Sequence, residues 1–329
     1  MRRRRFITLL GGAAASWPLA AHAQQASQAR LIGATTSLAA DDSEGQARLA
    51  AFRQGLQELG WVEGQNLRIE YRYGDGTPER VRKNAAELVA LAPDVTLVTG
   101  GPSLEPMLHL TQSLPIVFVQ ISDPVGAGFV ESLSHPGSNA TGFTALDFDA
   151  AGKWLELLKE IAPNVTRVAL LRDPTTTAGI GQWGASQAVA SVLKLDLRPV
   201  SVSDVAEIEK KISVFAHDPN GGMVVTESGP AIVHRDVIVA LAARYRLPAV
   251  YGLRAFVTAG GLVSYGNDTI DPYRRAAGYV DRVLKGEKPG DLPVQTPTKF
   301  ETIVNLKTAK MMGITIPQMV LARADEVIE

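Results

Sequence analysis

The regular alternation of short apolar strands with amphipathic helices most constrains what this chain can fold into. Strands that are separated by helices of about 12 residues form parallel βαβ units. One such series lies between residues 30 and 144, and a second lies between residues 150 and 265. The sequence therefore predicts an α/β protein with two Rossmann-like lobes, each built on a parallel sheet.

The remaining tail cannot build a third domain. It contains a predicted helix over residues 271–285, a strand over 301–305 and a short helix over 306–312. These elements are too small to enclose a core of their own, so we expect them to complete the two lobes already present.

A tail that completes both lobes implies that the chain crosses between them three times. The crossings are expected near residues 144–148, 264–268 and 296–300. The predicted first lobe comprises residues 30–144 and 266–296, and the predicted second lobe comprises residues 145–265 and 297–329.

The first 23 residues have the three parts of a secretory signal peptide. Four arginines, Arg2 to Arg5, precede an apolar run from Phe6 to Ala20, and Ala21-His22-Ala23 is a small-x-small cleavage signal. The run is too short for a transmembrane helix, which needs about 20 apolar residues. The arginines followed by Phe6 and Ile7 resemble a twin-arginine export signal; an ordinary secretory signal with extra arginines is the alternative. Both alternatives predict a periplasmic protein.

The absence of cysteine and the net charge exclude several kinds of site and partner. The sequence has no cysteine, so it offers no lipid-anchor cysteine, disulfide or thiolate metal ligand. Cleavage after Ala23 removes four arginines and no acid, which leaves 33 − 4 = 29 basic residues against 34 acidic ones, a net charge of −5. Nucleic acid is not expected as a partner, because binding it requires a basic face. A stable membrane anchor is not expected either.

Three segments resemble a known family of ABC-transporter substrate-binding proteins, whose members include tryptophan-binding lipoproteins. They are ISDPVGAGFVESLSHPGSNATGFT at 121–144, GGLVSYGNDTIDPYRRAAGYVDRVLKGEKPGDLPVQTPTKFETIVNLKTAKMMGITIP at 260–317 and LARADEVIE at 321–329. The resemblance covers essentially all of the chain after the signal. It implies the type I periplasmic-binding fold, with two lobes, three crossovers and a ligand in the cleft between them. The chain departs from the lipoprotein members in lacking their anchor cysteine.

Ligands of open parallel sheets bind beyond the carboxyl ends of the strands, where helix N-termini also favour anions. In the first lobe, hydroxyl and amide groups at these ends could hold a carboxylate, and an acid could accept from an ammonium group. Helix capping is the alternative role for Ser103 and Asp123. The candidates of the first lobe are Thr35, Thr36, Gly101, Ser103, Ser122 and Asp123.

In the second lobe, Glu227 could bind an amine or cap the following helix with Ser228. Tyr251 could form a stacking wall or belong to the core. Trp183 lies in a glycine-rich stretch with little helix signal, where it either lines the cleft or packs on the lobe surface. The candidates of the second lobe, with Tyr265 at a crossing, are Asp173, Trp183, Glu227, Ser228, Tyr251 and Tyr265.

Enzyme motifs are missing from the sequence, which has no GxSxG elbow, no phosphate-binding loop and no HExxH. Asp41 and Asp42 precede a helix and are interpreted as caps rather than as metal ligands. We therefore expect no catalysis, cofactor or metal.

The predicted function is capture of an amino acid, including an aromatic one, or a related carboxylate, for an ABC permease and its ATPase. A periplasmic sensor that reports to a membrane receptor is the alternative.

Overall fold

The described residues form two parallel sheets, and helices cover both faces of each sheet. This computed structural model describes residues 29–145, 148 and 150–329. The predicted signal peptide, residues 1–23, lies outside the described residues. In the described part of the chain, no helix is long and apolar enough to cross a membrane.

The first sheet has five strands in the order β2-β1-β3-β4-β5, and every neighbouring pair is parallel. Its apolar faces are covered by helices that follow the strands, as βαβ units require. The strands are β1 Arg30–Thr36, β2 Leu67–Tyr73, β3 Val95–Thr99, β4 Ile116–Ile121 and β5 Ala140–Thr144. The helices are α1 Ser43–Glu58, α2 Pro78–Leu91 and α3 Gly101–Leu110.

The second sheet has seven strands in the order β12-β11-β10-β9-β8-β6-β7. Only β10 and β11 pair antiparallel among the described strands. The strands are β6 Arg167–Arg172, β7 Asp196–Ser201, β8 Gly221–Val225, β9 Ala249–Tyr251, β10 Val263–Asn267, β11 Phe300–Asn305 and β12 Glu326–Ile328. The helices are α4 Ala150–Ile161, α5 Thr177–Leu193, α6 Val205–Phe215, α7 Gly229–Val233, α8 Arg235–Arg244, α9 Arg254–Thr258, α11 Leu306–Met312 and α12 Gln318–Ala322.

The tail returns to the first sheet before it ends in the second. Helix α10, Asp271–Leu284, packs on α1, and a 3-10 turn, Pro289–Asp291, follows it. The indole of Trp61 donates to Asp281 at 2.9 Å, and the hydroxyl of Thr141 donates to the Leu292 carbonyl at 2.6 Å. The first lobe is named here for the first sheet with α10, and the second lobe for the second sheet.

The α/β class with two lobes, predicted from the alternation of strands and helices, is confirmed. The chain passes between sheets after Thr144, after Asn267 and before Phe300. Strand β10 extends two residues past the predicted boundary at 265, because Gly266 and Asn267 still pair with β11.

Helix α5 begins at Thr177, whereas the sequence predicts a helix there over roughly residues 185–195. The glycine-rich stretch that holds Trp183 is helical, and the Thr176 hydroxyl accepts from the Gly179 amide at its start. These glycines permit close packing: a β-carbon at Gly179 would lie 1.7 Å from the Asp173 carbonyl oxygen. One at Gly181 would lie 2.5 Å from the Phe148 ring. The glycines therefore mark tight contact here, whereas in the sequence they gave the stretch little helix signal.

Candidate functional site

The carboxyl ends of the strands in the two lobes face each other across a cleft. Leu38, which follows β1 of the first lobe, is 2% exposed and belongs to the apolar core cluster of the second lobe. Asp42 and Arg235 form an ion pair between the lobes at 2.6 Å. A β-carbon at Gly76 would lie 2.9 Å from the Val233 side chain. These contacts hold the two walls of the cleft close together.

The wall of the cleft that the first lobe forms is called the first wall, and the wall that the second lobe forms is called the second wall. The first wall carries two buried hydroxyls that follow strand ends or lie near them. Thr35, near the end of β1, and Ser103, in the first turn of α3, are 4% and 1% exposed. Neither hydroxyl oxygen hydrogen-bonds to any described residue. Ser103 does not cap α3, because the helix is capped by Gly100, whose φ of 78° is the left-handed conformation that glycine tolerates. A β-carbon on Gly101 would meet open space.

Other predicted residues of the first wall have local structural roles. The Thr36 hydroxyl accepts from the Leu38 amide at 3.2 Å. Asp123, with φ 45°, accepts from the Gly126 amide at 2.8 Å and so closes a turn. Ser122 is half-buried beside it.

The sequence analysis missed Gln120 on this wall. Strand β4 carries an irregularity between Val119 and Ile121, and Gln120 there adopts φ 62°. A non-glycine residue held in this region costs on the order of 1–3 kcal/mol, and such strain concentrates at functional sites. The Gln120 amide nitrogen is buried and makes no hydrogen bond within the described residues. A polar residue in an otherwise apolar strand was the available signal.

On the second wall, two predicted residues stabilise turns. The Asp173 carboxylate accepts from the amide and the hydroxyl of Thr175, at 2.9 and 2.6 Å. The Ser228 hydroxyl accepts from the Ala231 amide at 3.3 Å and caps α7. Their polar atoms are therefore used within the second lobe.

Glu227 is the buried acid of the second wall, with 8% of its surface exposed. It lies where three segments meet with little space. A β-carbon added at Gly252 would lie 2.8 Å from the Glu227 side chain and 3.0 Å from the Trp154 ring. One at Gly266 would lie 3.3 Å from a Glu227 carboxylate oxygen. Glu227 is therefore positioned by a glycine that follows β9, by a glycine of β10 and by the indole of α4.

The three predicted aromatic residues pack within the second lobe. Tyr251 is 1% exposed and stacks on Phe256, with ring centroids 5.0 Å apart. Burial raises the pKa of the Tyr251 hydroxyl. Trp183 lies on α5, with the Arg172 guanidinium 5.4 Å from its ring centroid. The Tyr265 ring stacks on Phe300, and its carbonyl accepts from the Trp154 indole at 2.7 Å.

Three further buried polar residues of the second lobe were missed by the sequence analysis. The side-chain oxygens and nitrogens of Gln182, Ser186 and Asn267 make no hydrogen bond in the described part of the chain. Asn267 ends β10 at the second crossing between lobes, and Gln182 and Ser186 lie on α5. No strand-end pattern identifies the two residues inside a helix. Asn267 lies in a segment that the sequence analysis treated as a crossing.

The described residues contain no group of three or more His, Cys, Asp or Glu side chains that could hold a metal ion. The site consists instead of hydroxyls, carboxamides and one acid, buried between two lobes. Such groups suit a small polar ligand that is enclosed on both sides.

Two α/β lobes, three crossings and this polar cleft define a type I periplasmic-binding protein. The family model of the ABC transporter substrate binding protein matches residues 40–328, and the chain belongs to that family. This is a family of ligand-binding proteins, which function outside the cytoplasm, and not a class of enzymes.

Proteins similar to this chain include a tyrosine-binding protein of Clostridioides difficile, 23% identical over 84% of this chain and 80% of that protein. A solved domain from Streptococcus pneumoniae, in complex with L-Trp, is 26% identical with a TM-score of 0.84. It covers 91% of this chain and 100% of the solved one. A conserved domain protein from Vibrio cholerae, also 26% identical at a TM-score of 0.84, covers 91% and 99%.

Proposed function

We propose that this protein captures an amino acid in the periplasm, by closing its two lobes, and delivers it to an ABC permease and its ATPase. The observation that carries the proposal is a set of buried polar side chains on both walls of the cleft that have atoms without hydrogen bonds to described residues: Thr35, Ser103, Gln182, Ser186 and Asn267. Native interiors leave few such atoms unpaired. An amino acid has the donors and acceptors to pair with them.

The first wall fits the carboxylate of an amino acid. The hydroxyls of Thr35 and Ser103 are donors, and the dipole at the N-terminus of α3, where the Gly101 amide lies, favours an anion. Charge-assisted hydrogen bonds of this kind are about twice as strong as neutral ones.

The second wall fits the ammonium group. Glu227 is the buried acid there, and the amide oxygen of Asn267 is a further acceptor. Asp123, the other acid proposed from the sequence, already closes its own turn. We assign the ammonium contact to Glu227, because it is the more deeply buried of the two acids and lies beside the cleft.

Contacts between the lobes support capture by closure. The ion pair of Asp42 with Arg235 has side chains only 10% and 16% exposed, and Leu38 inserts into the core of the second lobe. These contacts form only while the lobes are together, so a ligand that bridges the walls would be favoured by them.

The similar proteins support an amino acid, including an aromatic one, as the ligand. One is described as tyrosine-binding, and one was solved with L-Trp. The predicted signal at residues 1–23 supports a periplasmic location. Its lack of a lipid-anchor cysteine supports a protein that diffuses freely.

A thermal-shift screen of the purified protein tests the proposal. The panel holds amino acids, aliphatic and aromatic carboxylates, sugars and polyamines. A ligand at 100 times its Kd stabilises by about 2.7 kcal/mol, which raises Tm by several degrees for a protein of this size. We expect an amino acid to give the largest shift. A sugar or polyamine hit without any amino-acid hit would overturn the amino-acid assignment.

A further inference from the structure

The inward face of α5 carries two polar residues that neither the strand ends nor the helix caps explain. Gln182 and Ser186 are 1% and 0% exposed. They are four residues apart and therefore neighbours on one face of the helix. The two polar atoms of the Gln182 amide and the Ser186 hydroxyl oxygen find no hydrogen-bond partner among the described residues. Two buried side chains thus present three unpaired polar atoms at one place.

This face lies at the level of the cleft. Helices α4 and α5 both run away from the carboxyl edge of the sheet, since α4 precedes β6 and α5 follows it. A β-carbon at Gly152, near the start of α4, would lie 3.0 Å from Val189 of α5. Gln182 precedes Val189 by seven residues, so it lies about 10 Å nearer the cleft along the helix axis.

A neighbouring residue places the start of α5 beside the first crossing. Gly181 lies against the Phe148 ring, which follows β5 and precedes α4. The start of α5 therefore extends beyond α4 and borders the segment that joins the lobes. Gln182 and Ser186 are on the flank of the second lobe that includes Trp154, whose ring also approaches Gly252 beside Glu227.

We propose that Gln182 and Ser186 form a second subsite, which binds a neutral hydrogen-bonding group on the side chain of the ligand. This inference rests on the proposed function. A carboxamide and a hydroxyl both donate and accept. A ligand hydroxyl or carboxamide can therefore pair with both the oxygen and the nitrogen of Gln182. A carboxylate only accepts and would leave the Gln182 oxygen unpaired, and an apolar side chain would leave all three atoms unpaired.

The test compares ligands that differ only in this group. Isothermal titration measures Kd for tyrosine against phenylalanine and for glutamine against glutamate. The wild-type protein is expected to prefer the hydroxyl or carboxamide member of at least one pair by 10-fold or more, since a site built for a hydrogen bond rejects the analogue that lacks it. The variant Gln182→Leu is expected to reduce that preference to within about 3-fold.

Matched variants separate a subsite from a structural role. Gln187→Leu makes the same change on the exposed face of α5 and is expected to keep the wild-type preference. Ser186→Ala, a smaller change, is expected to reduce the preference partly, and it serves if Gln182→Leu fails to fold. The ligand-free Gln182→Leu protein is expected to melt at or above the wild-type temperature, because leucine removes an unpaired amide.

The failures of the two proposals are distinguishable. Binding of no amino acid by the wild-type protein would overturn the proposed function. Amino-acid binding with equal affinity for both members of each pair would overturn the subsite alone. A preference that persists unchanged in Gln182→Leu and Ser186→Ala would also overturn it, while capture of an amino acid would stand.

Discussion

The two walls of the cleft obtain their polar groups from different places. On the first wall, Thr35 and Ser103 lie at strand ends, where the topology of an open parallel sheet predicts them. On the second wall, Glu227 follows β8, but two other strand-end residues, Asp173 and Ser228, stabilise local turns. The groups without local bonds there come from within α5 and from the end of β10. Position at a strand end is therefore insufficient: a side chain is available to a ligand only where no nearby amide uses it.

The largest expected change in ligand affinity is for substitution of Glu227, one of the two candidate acids of the cleft. Glu227→Gln is expected to weaken amino-acid binding by about 100-fold or more, because it removes the charge that pairs with the ammonium group in a buried site. Titration calorimetry measures the change.

Asp123→Asn is the matched control on the first wall. Its carboxylate already accepts from the Gly126 amide, and asparagine can accept the same bond, so we expect less than about a 3-fold change in affinity. A larger loss of affinity in Asp123→Asn than in Glu227→Gln would move the ammonium contact from Glu227 to Asp123.

Ser103→Ala is expected to weaken binding by about 10-fold, because it deletes one hydrogen bond to a charged carboxylate. Ser113→Ala, an exposed serine after the same helix, should leave Kd unchanged. The measurement is titration with the amino acid and with its amide derivative, which lacks the carboxylate. If Ser103→Ala lowers the affinity for both ligands equally, the first wall does not bind the carboxylate.

Asp42→Asn tests whether contact between the walls contributes to capture. Asparagine keeps the cap of α1 but removes the charge that pairs with Arg235. We expect affinity to fall by about 3- to 10-fold, with a larger radius of gyration for the ligand-free protein in X-ray scattering. Asp94→Asn breaks an ion pair inside the first lobe, and it should change neither quantity.

The smallest effect is expected for Tyr251→Phe. The ring is buried in the core of the second lobe, and the substitution preserves its stacking on Phe256. We expect less than a 2-fold change in affinity and a change of at most about 1 kcal/mol in the free energy of unfolding. A loss of affinity above 10-fold would indicate instead that the Tyr251 hydroxyl contacts the ligand.

Periodicity predicted most of the fold, because strand and helix patterns are local properties of the chain. The helix predicted over residues 306–312 agrees with α11 at both ends, and the helix predicted over 271–285 agrees with α10 to within one residue. The start of α5 could not be predicted in this way. There, Gly179 and Gly181 are required by contacts with Asp173 and Phe148, which are visible only after folding.

The site was less predictable than the fold. The strand-end rule identified Thr35, Ser103 and Glu227, and their assignment to the ligand stays a prediction. It could not identify Gln182 or Asn267, because whether a buried amide has a partner depends on the surrounding tertiary structure. The unusual backbone of Gln120 likewise has no signature in the sequence beyond its polarity.

The return of α10 to the first sheet has a consequence for how the protein is made. The Trp61 indole bonds to a carboxylate 220 residues later, so the first lobe cannot close its core until most of the chain has left the ribosome. Contacts of such long sequence separation slow folding and extend the time that apolar surface is exposed. A chain truncated before Asp271 would lack the helix that covers α1, so a fragment ending there should aggregate rather than yield an isolated lobe.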